Sequence, residues 1–409
     1  MNIHPGNNAL IEILEEEGII RKIYSSNHFV SEDRKGAIDA IEKASVKLHK
    51  ENIFLMELVK IHRDCKDDSV WIDFKIIKGD DLYYVLHNID KSISRAQKYN
   101  WIYFIADQLE TFHDNEIIHR DICPKNIRID SDNYPHIIDY DDIALNSDGM
   151  FTTKRHGTGL YESPEIIKNL VYSKSSDIYA FGGVIYYIMT EEEPNQRVQN
   201  TIRNYKDKLE QIDDVLNAID DVLKNLDKPS HLLNDSFDQI ILLIDTYKYF
   251  FGIEEDDDFE EELLNEENLI FLKSRIYTLK ERLEFEQKEE IEKILIQEDR
   301  NDEIFNRNYD LRDLVTRCIA TNPESRIDAK TIKECILEEA NKLDEKQKLE
   351  FNELLQKGIL DQVEHLINNN ELDDDTVERI QEKLNINDLL PQFVDRKNEL
   401  LNRLESHTN

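Results

Sequence analysis

Between residues 117 and 144 the chain reads IIHRDICPKNIRIDSDNYPHIIDYDDIA. Short runs of strand-forming residues at 127–129 and 137–138 lie within this segment, and as strands they would hold the loop before them and Asp139 rigidly side by side. Asp121 stands in the loop, Asn126 follows five residues later, and Asp139 lies thirteen residues beyond Asn126. A lone loop aspartate is usually a turn former or a helix cap. The three together form an acid–base and metal constellation. Asp121 is placed to accept a proton from an attacking hydroxyl, while Asn126 and Asp139 offer the hard oxygen donors that Mg²⁺ takes alongside substrate phosphate.

Charge narrows the field of partners. Asp plus Glu total 87 against 51 Lys plus Arg, a formal net charge of −36. That balance argues against a nucleic-acid binder held by phosphate contacts, and against docking on anionic membrane. No apolar stretch reaches the roughly 18 residues of a membrane span; the run at 179–189 reads as a buried helix. The first residues lack the basic-then-apolar pattern of a signal peptide. Cys65, Cys123, Cys318 and Cys335 lie far apart without metal-type spacing, which points to reduced thiols and a cytoplasmic setting.

Three zones differ in texture. Residues 1–90 alternate strand-length runs with one helical stretch: a hairpin over 9–14 and 18–24, a helix over 32–48, then strand-like runs at 53–61 and 70–77. Residues 82–190 and 306–338 read as mainly helical, with a loop-rich stretch at about 113–165. Between them, residues 191–305 keep helical periodicity with 33 acidic and 14 basic side chains, a balance of −19. Its run at 254–268 reads as a solvated, like-charged edge. The tail, 340–409, repeats short amphipathic patterns such as Phe351, Leu354 and Leu355, then Leu400, Leu401 and Leu404.

Five motifs, in order, resemble those of the eukaryotic-type protein kinase family. His119-Arg120-Asp121 with Asn126 resembles the HRD catalytic loop, and Asp139-Tyr140-Asp141 stands where the family has DFG. Residues 157–165, GTGLYESPE, resemble the GTxxYxxPE end of an activation segment. Residues 175–182, SSDIYAFG, resemble the start of the central helix of the large lobe. Asn322-Pro323-Glu324-Ser325-Arg326 resembles the late motif whose Arg pairs with the glutamate of the APE element, here Glu165. The match runs over about 18–190 and resumes at about 308–335.

The resemblance implies an α+β, bilobal fold. Its parts are a β-rich N-lobe at 1–78, the first part of a helical C-lobe at 79–195, an acidic helical insertion at 196–305, the final lobe helices at 306–338 and a helical extension at 339–409. It implies transfer of the ATP γ-phosphoryl group, with Mg²⁺, to Ser or Thr hydroxyls of a protein substrate. Asp121 would be the base, Lys22 would hold the α- and β-phosphates, and Asn126 and Asp139 would hold metal. Glu42 is the expected partner of Lys22, with Asp39 and Glu32 as alternatives on the same helix. Phe74 would guard the back of the nucleotide pocket, Lys75 to Ile77 would form the hinge that bonds adenine, and Asp81 would lie near the ribose or a basic substrate residue. Thr152 and Thr153 stand where a phosphate could dock on Arg120, unless Lys154 and Arg155 pair with acidic side chains instead.

Three positions depart from the family pattern. No GxGxxG precedes Lys22, so the first strand is missing or very short and a phosphate cradle is lost. The lysine expected two residues after the catalytic aspartate is Cys123, for which Lys125 is a substitute unless it points to solvent. DYD replaces DFG, which removes backbone freedom at the third position. Two other readings therefore stay open: a pseudokinase that gathers partners, including a regulatory protein, through the insertion or tail, and a small-molecule kinase. The richness in Asn, Ile and Lys, with these helical additions, suits a translocated effector or a large virus.

Overall fold

The computed structural model describes residues 2–5, 10–24, 38, 41–42, 48–63, 70–88, 93–145, 150–151, 157–194, 196–224, 266–296, 309–369, 374–385 and 389–408. The chain forms two compact units, one of Met1–Pro194 with Ile304–Asn409 and the other of Asn195–Glu303.

Five antiparallel strands make the small lobe of the first unit: β1 (Asn2–Pro5), β2 (Leu10–Leu14), β3 (Ile19–Tyr24), β4 (Leu58–Arg63) and β5 (Val70–Lys75), in the order β1-β2-β3-β5-β4. The expected hairpin is β2–β3. It turns at Gly18, whose φ of 67° lies where glycine goes without a Cβ penalty. The first strand exists and is four residues long. The run at 53–61 pairs only from Leu58 onward, because Phe54, Leu55 and Met56 are buried in the core instead of in the sheet. Of the helix expected over 32–48, Ile38, Ile41, Glu42 and Leu48 are among the described residues, and all four are helical.

Strand alternation sends Lys22 and Tyr24 to one face of β3 and Arg21 to the other. On Arg21's face a charged row crosses four strands. Arg21 donates to Asp73 through Nε (2.7 Å) and Nη2 (2.9 Å), lies 3.6 Å from Glu12, and His62 Nε2 sits 3.0 Å from Asp73. Each such cross-strand pair contributes about 0.2–1 kcal/mol, and together they pin the register that puts Lys22 opposite Ile72.

Helices α1 (Leu82–Asn88), α2 (Arg95–Asp114), α3 (Pro164–Asn169) and α4 (Lys174–Thr190) begin the large lobe. The second unit holds α5 (Gln196–Lys224) and α6 (Glu266–Ile296); α7 (Arg312–Cys318) and α8 (Ala329–Ala340) complete the lobe, and α9 (Glu345–Asn369), α10 (Asp374–Leu384) and α11 (Pro391–Thr408) follow. Helix α2 starts where Ser94 Oγ accepts the N–H of Gln97 at 3.0 Å. Helix α4 is buried on every side from Ser176 to Ile188, which its nearly unbroken apolar sequence requires. A small sheet of β6 (Gly79–Asp81), β8 (Ile127–Asp130) and β9 (Pro135–Ile137), with a pair formed by β7 (Ile117–Ile118) and β10 (Ala144–Leu145), frames the segment 117–145.

In the second unit α5 and α6 pack on each other. Ile212, Val215, Leu216, Ile219 and Val222 are buried, as are Leu272, Ile276, Leu279 and Leu283, and Lys280 bonds Asp213 at 2.6 Å. The acidic stretch at 254–265 lies outside the described residues.

The tail helix α9 packs along α2. Gly358 makes that approach possible, since a Cβ there would stand 2.3 Å from the Phe104 ring. One buried carboxylate ties the layers together. Asp107 on α2 accepts from Asn52 (2.9 Å) at the end of the small-lobe helix, Lys333 (2.9 Å) on α8, Gln362 (2.8 Å) on α9 and Lys383 (3.3 Å) on α10. Burial alone would raise its pKa, but the ammonium groups of Lys383 and Lys333 outweigh burial and hold it far below the usual carboxylate range.

Asp107→Ala leaves those ammonium groups buried without this partner, and we expect a loss of about 3–5 kcal/mol. Urea denaturation at pH 7 reads it as a lower midpoint. A depressed carboxyl stabilises above its unfolded pKa of about 3.9 and stops doing so as pH falls through the folded value, so the gap between wild type and variant should narrow below about pH 4.

Candidate active site

The catalytic-loop segment is held from below by Asp177 of α4. Its carboxylate accepts the backbone N–H of His119 (2.8 Å) and of Arg120 (2.9 Å), and His113 Nε2 lies 3.1 Å away. These bonds hold Arg120 in the left-handed region (φ 69°), which a residue with a Cβ avoids at a cost of about 1–2 kcal/mol. The Asp121 N–H donates to His119 Nδ1 (3.3 Å), so Nε2 carries the proton it gives to the Ile138 carbonyl (3.2 Å). Ile138 in turn donates its N–H to the Asn126 carbonyl at 2.9 Å. The loop and the strand that leads to Asp139 are thereby stitched side by side.

Asp121 and Asn126 meet directly, Asn126 Nδ2 donating to the Asp121 carboxylate at 2.7 Å and to its carbonyl at 2.9 Å. Both bonds use the amide nitrogen, which leaves the amide oxygen for a cation. The Thr158 hydroxyl donates to the other Asp121 oxygen at 2.9 Å. Burial, more than any neighbouring charge, raises the Asp121 pKa.

Lys22 and Asp139 also meet, at 2.5 Å. Asp139 takes a left-handed backbone (φ 68°) and keeps its side chain 39 % exposed. Burial would raise its pKa, but the charge of Lys22 prevails and lowers it, so the carboxylate is ionised at neutral pH. An ionised carboxylate and an amide oxygen are both hard donors, and this pair suits Mg²⁺ completed by phosphate oxygens.

The expected partner of Lys22 is corrected. Glu42 is 53 % exposed and pairs with Arg63 of β4. Lys22 instead donates to Asp141 at 2.8 Å, and the Tyr24 hydroxyl donates to the same oxygen at 2.6 Å. The alternatives Asp39 and Glu32 lie outside the described residues. The cost expected for losing the DFG glycine is also absent: Asp141 sits inside a 3-10 turn (Tyr140–Asp142), and the left-handed residue is Asp139. Tyr140 is fully buried, edge-on to Phe74, Phe112 and His119, and its hydroxyl accepts the Met56 N–H at 2.8 Å.

The other expected residues fall as follows. Phe74 is buried at the end of β5, in the sheet and against Tyr140. Lys75 and Ile76 use their own N–H groups on the carbonyls of Glu57 (2.9 Å) and Gly18 (2.8 Å), and the Lys75 ammonium pairs with Glu57. Ile77 follows them, half-buried. Asp81 caps α1 by accepting the Tyr84 N–H at 2.8 Å, the ordinary structural use of a loop aspartate. Cys123 is buried and its thiol pushed up to about 12, chiefly by burial, so it supplies no charge. Lys125 does not take its place beside Asp121, since its ammonium lies over the Tyr83 ring at 5.5 Å. Arg120 bonds the Asp142 carbonyl and lies 5.7 Å from the Tyr172 ring. Thr152, Thr153, Lys154 and Arg155, and Cys65, lie outside the described residues. Asp141, Tyr24 and Thr158 were not singled out from sequence as site residues. Tyr24 had only its alternation with Lys22 to signal it, and Thr158 only its place in the motif after Gly157.

Below the site the anticipated pair of Glu165 and Arg326 forms with both guanidinium arms, Nη1 to Oε1 at 2.7 Å and Nη2 to Oε2 at 2.8 Å. The Arg326 side chain is fully buried and also donates to the carbonyls of Ala320 and Ser175. Burial would raise the Glu165 pKa, and the bonds from Arg326 lower it instead.

A family model described as the protein kinase domain matches residues 12–336. Among curated proteins the chain is similar to the dual specificity protein kinase pyk3 of Dictyostelium discoideum, 29 % identical over 43 % of this chain and 12 % of that protein. It is 30 % identical to the putative serine/threonine-protein kinase/receptor R831 of Acanthamoeba polyphaga mimivirus, over 32 % of this chain and 8 % of the relative. It is 27 % identical to the cGMP-dependent protein kinase of Plasmodium berghei, over 37 % of this chain and 18 % of the relative. The chain thus spans less than a fifth of the length of each. Among the described residues no helix is long and apolar enough to cross a membrane.

Arg326→Ala is expected to destabilise the fold by about 3–5 kcal/mol, because Glu165 stays buried without its partner. Arg326→Lys should restore only part of that, since an ammonium cannot form the two-armed bond. Calorimetric melting of the three proteins checks both.

Proposed function

The chain belongs to the protein kinase family, and we propose that it transfers the γ-phosphoryl group of ATP to Ser or Thr hydroxyls of a protein substrate. The observation that carries this reading is the pair of direct contacts Asp121–Asn126 and Lys22–Asp139 on a loop and strand bonded to each other. Asp121 is the base. Its carboxylate receives one bond on each oxygen and retains lone pairs for the substrate hydroxyl. Lys22 holds the α- and β-phosphates, and Asn126 and Asp139 hold the metal. When bound, Mg²⁺ neutralises charge on the phosphates and fixes their orientation. The hydroxyl class follows the mimivirus relative, named as serine/threonine kinase, whereas the Dictyostelium relative is named as dual specificity.

A pseudokinase is the second reading, favoured by Cys123 and Lys125: the first is buried and neutral, and the second is engaged by Tyr83. One experiment separates the two. The protein is incubated with labelled ATP, Mg²⁺ and Ser, Thr and Tyr peptide pools, beside Asp121→Ala and Asp139→Ala. We expect label on Ser and Thr, and a loss of roughly 10³-fold or more in each variant with the fold intact. Asp139→Ala as active as wild type would sink the assignment, and ATP binding without transfer would favour the pseudokinase. Because burial raises the Asp121 pKa and the base must be ionised, transfer should fall on the acid side as that carboxyl protonates.

For the acidic helical unit we propose docking of a basic protein surface, such as a regulatory partner. What supports it is the charge of −19 over 191–305, which steers cations at long range. Replacing residues 200–300 by a short linker should keep ATP binding and weaken capture of that partner at low salt. Capture that survives both the deletion and high salt would overturn the proposal. Similarity to a mimivirus kinase favours action inside a host cell.

A further inference from the structure

The turn that replaces DFG brings a second carboxylate to Lys22. Lys22 and Tyr24 leave the same face of β3, two residues apart, and converge on one oxygen of Asp141, at 2.8 Å and 2.6 Å. The Asp141 side chain is only 11 % exposed. Among the described residues no helix glutamate reaches Lys22, and Glu42 is spent on Arg63. Yet Asp139, the other partner of Lys22, is the residue whose carboxylate the metal needs. A lysine held by Asp139 alone would lose its tether at the moment the nucleotide and metal arrive.

We propose that Asp141 is the positioning residue that holds Lys22 toward the nucleotide phosphates, in the place the family pattern gives to a helix glutamate. The inference rests on the kinase reading above. Asp141 can serve in this way because its carboxylate is fixed from two sides. The Tyr24 hydroxyl orients it from the sheet, and the buried Tyr140 ring anchors the turn through the Met56 N–H. The geometry also accounts for the third-position aspartate: no left-handed backbone is needed there, so a side chain fits.

The test is calorimetric titration of the full chain with ATP plus Mg²⁺, and separately with adenosine, which lacks phosphates. Asp141→Gly, which restores the family residue, should weaken ATP binding about tenfold or more, the worth of a charged hydrogen bond, and leave adenosine affinity within about twofold. Tyr24→Phe, which removes only the orienting hydroxyl, should weaken ATP in the same direction by a smaller factor. Glu42→Ala should leave both affinities as they are. Melting curves check that each variant is folded, and should Asp141→Gly fail to fold, Tyr24→Phe carries the test. Unchanged or tighter ATP binding in Asp141→Gly overturns the inference, as does an equal loss for adenosine, which would mark a structural role. Failure of the wild type to bind ATP would overturn the kinase reading and this inference together; wild-type binding that the variants do not alter overturns this inference alone.

Discussion

One buried carboxylate sets the geometry on which the site depends. Asp177 receives two consecutive backbone N–H groups, those of His119 and Arg120, and this forces the left-handed turn at Arg120. A loop that turns there presents Asp121 and Asn126 to the same side, where they bond each other. Such backbone is tolerated only when its surroundings over-determine it. Here the surroundings are a helix buried on every side, so the loop inherits the rigidity of the core. Its register reaches the segment before Asp139 through the Asn126 carbonyl and His119, which aligns the two aspartates.

The small lobe solves its problem by a different route. The sheet buries Tyr24, Val70, Ile72 and Phe74, but apolar burial is non-directional and does not by itself fix register. The row Glu12–Arg21–Asp73–His62 supplies directional contacts instead. Alternation then settles the other face, and Lys22 with Tyr24 must point toward the turn at 140–142. The electrostatics are lopsided. Asp139 and Asp141 both bond one lysine: the charge of Lys22 lowers the Asp139 pKa against burial, while burial prevails at Asp141 and raises its pKa.

Much of this was legible in the sequence because the informative residues are short-range. Asp121, Asn126 and Asp139 lie within 19 positions and the loop between them is closed by its own strands. Glu165 and Arg326, 161 residues apart, could be paired only through the family resemblance, and the bond is there. What could not be read was side-chain competition. Glu42 sits at a suitable place on its helix, but Arg63 is nearer to it than Lys22 is, and a spacing pattern holds no information about a strand that comes later. Lys125 is likewise diverted by the Tyr83 ring, and Cys123 is kept neutral by burial. The Tyr140 hydroxyl accepts a bond from the Met56 N–H that no periodicity announces.

The C-terminal helices show why domain limits drawn from motifs can mislead about stability. The family motifs end near residue 335, yet Asp107, deep in the large lobe, is neutralised by Lys333 just inside that limit and by Lys383 well beyond it. Gln362 bridges the same carboxylate to Lys383 and reaches Asn52 in the small lobe at 3.4 Å. His365 adds a bond to the His49 carbonyl at 2.7 Å, and Phe104 packs under Gly358 with no room for a Cβ. A chain cut after α8 would leave a buried carboxylate with half its cations and a strip of α2 bare to water. Both terms act against folding, by desolvation and by lost apolar burial. The tail is therefore part of the folding unit that carries the site, and the acidic unit between α4 and α7, which buries its own apolar face, is not held to the same requirement.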